Sequence, residues 1–136
     1  MLRDYEAVLK AAADPNRARV LKMLEGGELC VCQIIAVLGL SQSTVSKHLS
    51  LLRAAGLVEE RKDGRWVHVR LAEERVNDYA LPLLSFVRQW MKQDALIRAD
   101  AAKLARIRRI SVEKLCDIGP QTVGRESAMT KGWGRG

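Results

Sequence analysis

Cys30 and Cys32 stand two residues apart in Glu28-Leu29-Cys30-Val31-Cys32-Gln33, and a third cysteine, Cys116, lies far downstream. Thiolates are soft ligands that select soft metals and, by the same reasoning, trivalent arsenic or antimony. Free cysteine also serves as a small buried apolar residue, so the pair needs its surroundings before it means more. A helix from about Glu28 to Leu38 would gather Val31, Ile34, Ile35 and Leu38 on one face. Cys30 and Cys32 would then flank that face about 160° apart, with their thiols pointing away from each other. On that reading one ion takes both sulfurs only if the first helical turn unwinds.

A second set of residues suits polyanion recognition. The segment Ser41-Gln42-Ser43-Thr44-Val45-Ser46-Lys47-His48-Leu49-Ser50-Leu51-Leu52-Arg53 starts on a capping serine, and Gly56 closes it. Val45, Leu49 and Leu52 share one face, while Ser43, Ser46, Lys47 and Ser50 share the opposite one. Short hydroxyl and amide side chains let a helix backbone approach base edges in a major groove. After Gly56 the pattern turns to period two, in Leu57–Lys62 and Arg65–Leu71 around Asp63-Gly64. Asp-Gly between such runs signals a hairpin, and Arg61, Lys62 and Arg65 make its tip basic. His48 borders the apolar face and His68 lies in the second strand. Neither has a partner at metal-ligand spacing.

The elements around these residues follow from periodicity and breakers. Tyr5, Val8, Leu9 and Ala12 form a first helical stripe, ended by Asp14-Pro15-Asn16, with Asn16 as the expected cap of the next helix. A second helix spans Arg17–Glu25 and stops at Gly26-Gly27, and the third ends at Gly39. A long helical pattern begins near Leu81 with Leu84, Val87 and Met91, and runs, with room for a break, to Ile110. Ser111 caps one further turn leading to Cys116, and Gly119–Gly136 reads as a flexible tail. Two short helices, a polar-faced helix and a basic hairpin in this order make a mainly α chain with a small β-hairpin, a winged helix-turn-helix.

Composition narrows the function classes. The chain has 136 residues, 23 Lys and Arg against 16 Asp and Glu, a net charge of +7 and 48% hydrophobic residues. That suits one folded unit with its own core and an acidic polymer as partner. No apolar run reaches membrane-spanning length, and acids occupy the N-terminus where an export signal is apolar, so the expected location is cytoplasmic. An odd number of cysteines suits a reducing compartment better than a disulfide framework. A cysteine-nucleophile enzyme, such as an arsenate reductase, wants an anion loop or a base beside the thiol, and neither is present in the sequence.

The cysteine box, the run Leu38-Gly39-Leu40-Ser41-Gln42-Ser43-Thr44-Val45-Ser46-Lys47-His48-Leu49, then Leu52–Val58 and Arg61-Lys62-Asp63-Gly64-Arg65-Trp66-Val67, resemble the ArsR/SmtB metalloregulatory repressors. The likeness is continuous from about Asp14 to Leu71. It implies a homodimer, joined through its first helix and the long helix after the wing, that leaves operator DNA when an inducer binds. The stripes of Tyr5, Val8 and Leu9 and of Leu84, Val87 and Met91 agree with such an interface. The implied organisation is 1–92 for DNA binding and dimerisation, 93–118 for a helical extension carrying Cys116, and 119–136 for the tail. The implied DNA contacts are Gln42, Ser43, Thr44, Ser46, Lys47, Arg61, Lys62 and Arg65.

A Cys-Val-Cys box is most at home in arsenic-responsive members, whose trivalent inducer takes three thiolates. Some of those place the third cysteine where this chain has Ile35, which leaves Cys116 as the third ligand beside Cys30 and Cys32. As(III) is the implied inducer, with Sb(III) as a second candidate and no permanent cofactor. Sensing of cadmium or lead, or a thiol-redox or persulfide switch on the same cysteines, are the alternatives. Remodelling of the box helix would oppose DNA binding, and a coupling of about 3 kcal/mol would weaken it roughly 150-fold.

Overall fold

The computed structural model describes residues 1–121. Helix α1 (Leu2–Ala13) ends at Asp14, whose extended backbone caps α2 (Pro15–Leu24). The cap is therefore Asp14 rather than Asn16: its carboxylate accepts the Arg17 N–H at 3.1 Å, and Pro15 occupies the first helical position. Proline has no N–H to lose there, and its fixed φ already suits a helix.

The chain then forms a two-residue strand, β1 (Leu29–Cys30), before α3 (Val31–Leu38). Gly39, at φ 69°, ends α3 in the left-handed conformation that glycine adopts without a Cβ clash. Helix α4 (Gln42–Ala54) follows, with Ser41 Oγ accepting the Thr44 N–H at 3.2 Å. Strands β2 (Val58–Asp63) and β3 (Trp66–Leu71) pair antiparallel, Asp63 opposite Trp66, around the expected Asp63-Gly64 turn. The sheet has three strands in the order β1-β3-β2, with Leu29 opposite Val69 and Cys30 opposite His68. A two-residue strand is too short to show a period, so β1 carries no sequence signal.

The long C-terminal pattern is three helices: α5 (Ala80–Gln89), α6 (Ala95–Ile107) and α7 (Val112–Ile118). Trp90 is extended and Met91 takes φ 63°, which separates α5 from α6, and the Asp94 carboxylate caps α6 on the Leu96 and Ile97 N–H groups.

One apolar core runs through the molecule. Val20 and Leu21 of α2, Ile34 and Val37 of α3, Val45 and Leu52 of α4 and Val69 of β3 meet in it. Leu104, Ile107 and Leu115 bring α6 and α7 to the same core. Polar ties reinforce that docking. Arg19 grips Asp100 with two hydrogen bonds of 2.8 and 2.9 Å, and the Lys103 ammonium donates to the Val37 carbonyl at 3.0 Å. Lys22 donates to the carbonyls of Val87 and Trp90 at the end of α5, where the helix dipole favours a cation.

The apolar stripes of α1 and α5 divide differently from expectation. Val8 and Val87 face the chain's own core, and Leu84 and Met91 pack against it. Leu2, Tyr5 and Leu9 of α1, Phe86 of α5 and Trp90 at the end of α5 are among the large apolar side chains left exposed. Each helix uses one edge of its stripe internally because a stripe wider than a coiled-coil seam touches two neighbours. Among the described residues no helix is long and apolar enough to cross a membrane. The tail expected over 119–136 falls, from residue 122 onward, outside the described residues.

Candidate functional site

The cysteine box is built at a junction. Cys30 is the last residue of β1 and the N-cap of α3, with φ −72° and ψ 146°, so it is extended rather than helical. Its backbone N–H donates to Gln33 Oε1 at 2.9 Å, which fixes the entry into the helix. Cys32 lies in the first turn of α3. The expected divergence of the two thiols rested on a helix starting near Glu28, and with the helix starting at Val31 that geometry disappears. No unwinding is needed to bring the sulfurs together, and the expected remodelling of the box helix loses its basis.

Helix α7 delivers Cys116 to the same place. The Sγ atoms of Cys30, Cys32 and Cys116 all lie within 4.8 Å of one another, in one chain. Cys32 and Cys116 are joined as a disulfide, with Cα atoms 5.8 Å apart, across a sequence separation of 84. The expectation of three unpaired thiols is corrected on this point: the compartment argument addresses redox environment, whereas tertiary packing decides which sulfurs meet. Cys30 is free and buried. Burial pushes its thiol above the usual range, while backbone N–H groups of Cys32 and Val31 aimed at the sulfur pull partly the other way. With the Cys32–Cys116 bond reduced, three soft sulfur donors gathered in one place would suit a thiophilic ion of trigonal geometry.

The triad opens onto a cleft of about 560 Å³. Its walls come from the outward face of α4, through Gln42, Ser46, Ser50 and Arg53, and from the hairpin, through Glu60, Arg65 and Trp66. The thiols therefore sit beside the elements expected to meet DNA. All eight expected DNA contacts are exposed: Gln42, Ser43, Thr44, Ser46 and Lys47 on α4, and Arg61, Lys62 and Arg65 on the hairpin. The Ser43 and Thr44 hydroxyls also share the Ser41 cap, at 3.2 and 2.8 Å.

The basic residues differ in their partners. Arg61 binds Glu28 through hydrogen bonds of 2.7–3.1 Å, and that contact holds the Glu28 carboxyl below the usual range. Arg65 reaches Asp117 Oδ1 at 3.4 Å and lies over the Trp66 ring at 5.3 Å. Among the described residues, Lys47 and Lys62 make no ion pair. Arg53, which sequence reasoning left out of the site, ties α4 to the hairpin through Glu60 at 2.5 Å. Asp117 was also left out, although it adjoins Cys116, because its partner lies 52 residues away.

The histidines take structural places. His48 Nδ1 lies 3.3 Å from the Arg17 guanidinium, which itself binds the Ala11 carbonyl. His68 sits between Glu28 and Asp63 at 3.8 and 4.0 Å.

Comparison with known proteins agrees with this architecture. The family described as "Bacterial regulatory protein, arsR family" matches residues 14–60. The chain is 41% identical over 98 residues to the arsenic resistance transcriptional regulator ArsR1 of Pseudomonas putida, covering 68% of this chain and 76% of that one. It is 38% identical over 74 residues to a cadmium resistance transcriptional regulatory protein CadC homolog of Staphylococcus aureus, covering 54% and 61%. Among solved structures it resembles the homodimeric winged helix-turn-helix DNA-binding domain of Mb0332 from Mycobacterium bovis, a possible ArsR-family regulator. The TM-score is 0.55 at 31% identity, covering 65% of this chain and 78% of that one.

Proposed function

The chain belongs to the arsR family of bacterial regulatory proteins, and from that premise we propose that it is a homodimeric, cytoplasmic repressor of an arsenic-resistance operon, released from operator DNA when trivalent arsenic binds Cys30, Cys32 and Cys116. The observation that carries the inducer reading is the meeting of the three Sγ atoms within 4.8 Å in one chain. Thiolate–metal bonds run to about 2.3 Å, so two sulfurs sharing one ion lie no more than about 4.6 Å apart, close to the spacing here. In the reduced protein each thiol exchanges for one hydroxide of arsenous acid. Three As–S bonds form, three As–O bonds break, three waters leave, and no electron is transferred. Antimonous acid exchanges in the same way.

DNA recognition is assigned to α4, with Gln42, Ser43, Thr44, Ser46 and Lys47 toward the bases, and to Arg61, Lys62 and Arg65 of the hairpin toward phosphates. The exposed apolar residues Tyr5 and Leu9 on α1, Phe86 on α5 and Trp90 just after it suit the surface that joins two copies. The similar Mb0332 domain is homodimeric.

The test uses the reduced full-length chain. One arsenite per chain is expected to remove three free thiols from a thiol titration and to release a labelled operator duplex. Three reactive thiols remaining at stoichiometric arsenite would overturn the inducer assignment. A second reading rests on the Cys32–Cys116 bond. A hydroperoxide would take two electrons and two protons from the two thiols, giving the disulfide and releasing water and the reduced hydroxyl compound. Operator release by peroxide, reversed by dithiothreitol and insensitive to arsenite, would favour it.

A further inference from the structure

Helix α7 does more in this structure than carry a sulfur. Leu115 anchors it in the core, Cys116 faces the box, and Asp117 receives Arg65 of the hairpin at 3.4 Å. Cys116, Asp117 and Pro120 line the same cleft as Gln42 and Ser46 of α4. The pose that assembles the three sulfurs thus puts a segment of chain at the edge of the groove between the recognition helix and the wing. It also occupies an arginine suited to a phosphate and sets a carboxylate in the cleft beside α4 and the hairpin. A duplex presents a dense row of negative charge, so Asp117 and a phosphate compete for Arg65 and repel each other.

We propose that α7 is a strap: docked on the cysteine box it obstructs the DNA-reading groove and masks Arg65, and the inducer acts by bolting it there through Cys116. This rests on the three-thiolate reading above. Here α7 is tied to α3 by the Cys32–Cys116 bond. With that bond reduced and no ligand bound, what is left to hold this seven-residue helix is one buried leucine and an exposed ion pair, with side chains 62% and 59% accessible. Short helices are marginal without tertiary support, so operator DNA can displace this one. A ligand spanning Cys116 and the box removes that freedom. The coupling then needs no change in α3 or α4, in keeping with a box that gathers its sulfurs without unwinding.

Hydrogen exchange on the reduced full chain tests the strap directly. Amides of residues 113–118 are expected to exchange at least about tenfold faster in the operator complex than in the arsenite-bound protein, as local opening lowers protection. Asp117→Asn, at an exposed position, is the matching variant. Its ligand-free operator affinity is expected to rise about two- to fivefold, the scale of one exposed ion pair, and its arsenite-induced loss of affinity to change with it. Its thiol titration should match wild type. If arsenite fails to take three thiols in the wild-type chain, the three-thiolate reading has failed. If the thiols titrate normally but α7 is equally protected in both states, or Asp117→Asn binds operator no more tightly than wild type, the strap is overturned.

Discussion

The segment from Glu28 to Leu71 and the segment from Ala95 to Ile118 contribute to one site by opposite means. The first builds its elements from signals between neighbours: a serine cap, an Asp-Gly turn, and side chains that alternate in period two or repeat in period 3.6. Most of its ion pairs are partly open to solvent, as at Arg61–Glu28 and Arg53–Glu60. The second has weaker local signals and is placed by long-range contacts, with Asp100 buried against Arg19 and Leu104, Ile107 and Leu115 buried in a core made largely by other elements. The reading head is specified locally, whereas the arm that brings the third sulfur is specified by packing. Damage to the arm should therefore cost stability and coupling, and damage to the head should cost recognition.

The largest effect that would break this contrast lies at Asp100. Asp100→Ala leaves Arg19 charged and largely enclosed, with side-chain exposures of 16% for Arg19 and 7% for Asp100 in the intact pair. Breaking such a pair costs about 3–5 kcal/mol, measurable in urea unfolding. A loss no larger than that of an exposed pair would show that the arm is not anchored through this contact.

The pH dependence of inducer affinity comes next. Burial raises the Cys30 thiol above its ordinary value, so it is protonated at neutral pH and stays so further up the scale. Arsenous acid exchange is proton-neutral while the thiols are protonated, so its affinity should be flat from pH 6 to 8. A divalent cation such as cadmium must displace the protons, and three of them make affinity rise up to about a thousandfold per pH unit below the thiol range. Titrations at three pH values separate the two ions. A steep arsenite profile would refute the three-exchange chemistry.

The cysteine series sharpens the division of labour. Cys32→Ser and Cys116→Ser should each abolish most of an arsenite response of roughly 150-fold in operator affinity. Ligand-free operator binding should survive in both, because neither side chain belongs to the reading face. A normal response from Cys116→Ser would remove the arm from the sensing site.

The smallest effect lies in the head. Glu59 Oε2 accepts the N–H groups of Glu73 and Glu74 at 2.9 and 3.0 Å, and these, with Arg70, hold its carboxyl below the usual range. Because the folded value is depressed, the stabilisation is fully present above the ordinary glutamate pKa of about 4.3 and is lost as pH falls through the folded value. Glu59→Gln should lower the melting temperature at pH 7, by less than Asp100→Ala does, and its difference from wild type should shrink in thermal melts as pH falls from about 5 to 3.

Much of the head was legible because its rules act over a few residues. The capping serine, the Ser/Lys face and the Asp-Gly hairpin appear where the sequence puts them. The cap of α2 was misplaced by two residues because Asp14 and Asn16 are both good caps flanking a proline, and the backbone at Asp14 decides between them. The start of α3 was misplaced because Leu29 and Cys30 form a strand too short to show a period. Their pairing with Val69 and His68 makes them a strand, and residues about 40 positions away supply that pairing.

The sequence by itself determined a winged helix-turn-helix with a polar-faced α4, a basic hairpin and three thiols, since each follows from residue type and short-range spacing. Only the tertiary structure decided that Cys30 lies outside the helix, that Cys116 returns to the box of its own chain, and that Asp117 arrives with it beside Arg65. A separation of 84 residues carries no periodic signal. What brings those sulfurs together is the burial of Leu104, Ile107 and Leu115 and the Arg19–Asp100 pair, a collective outcome of packing that no local pattern encodes.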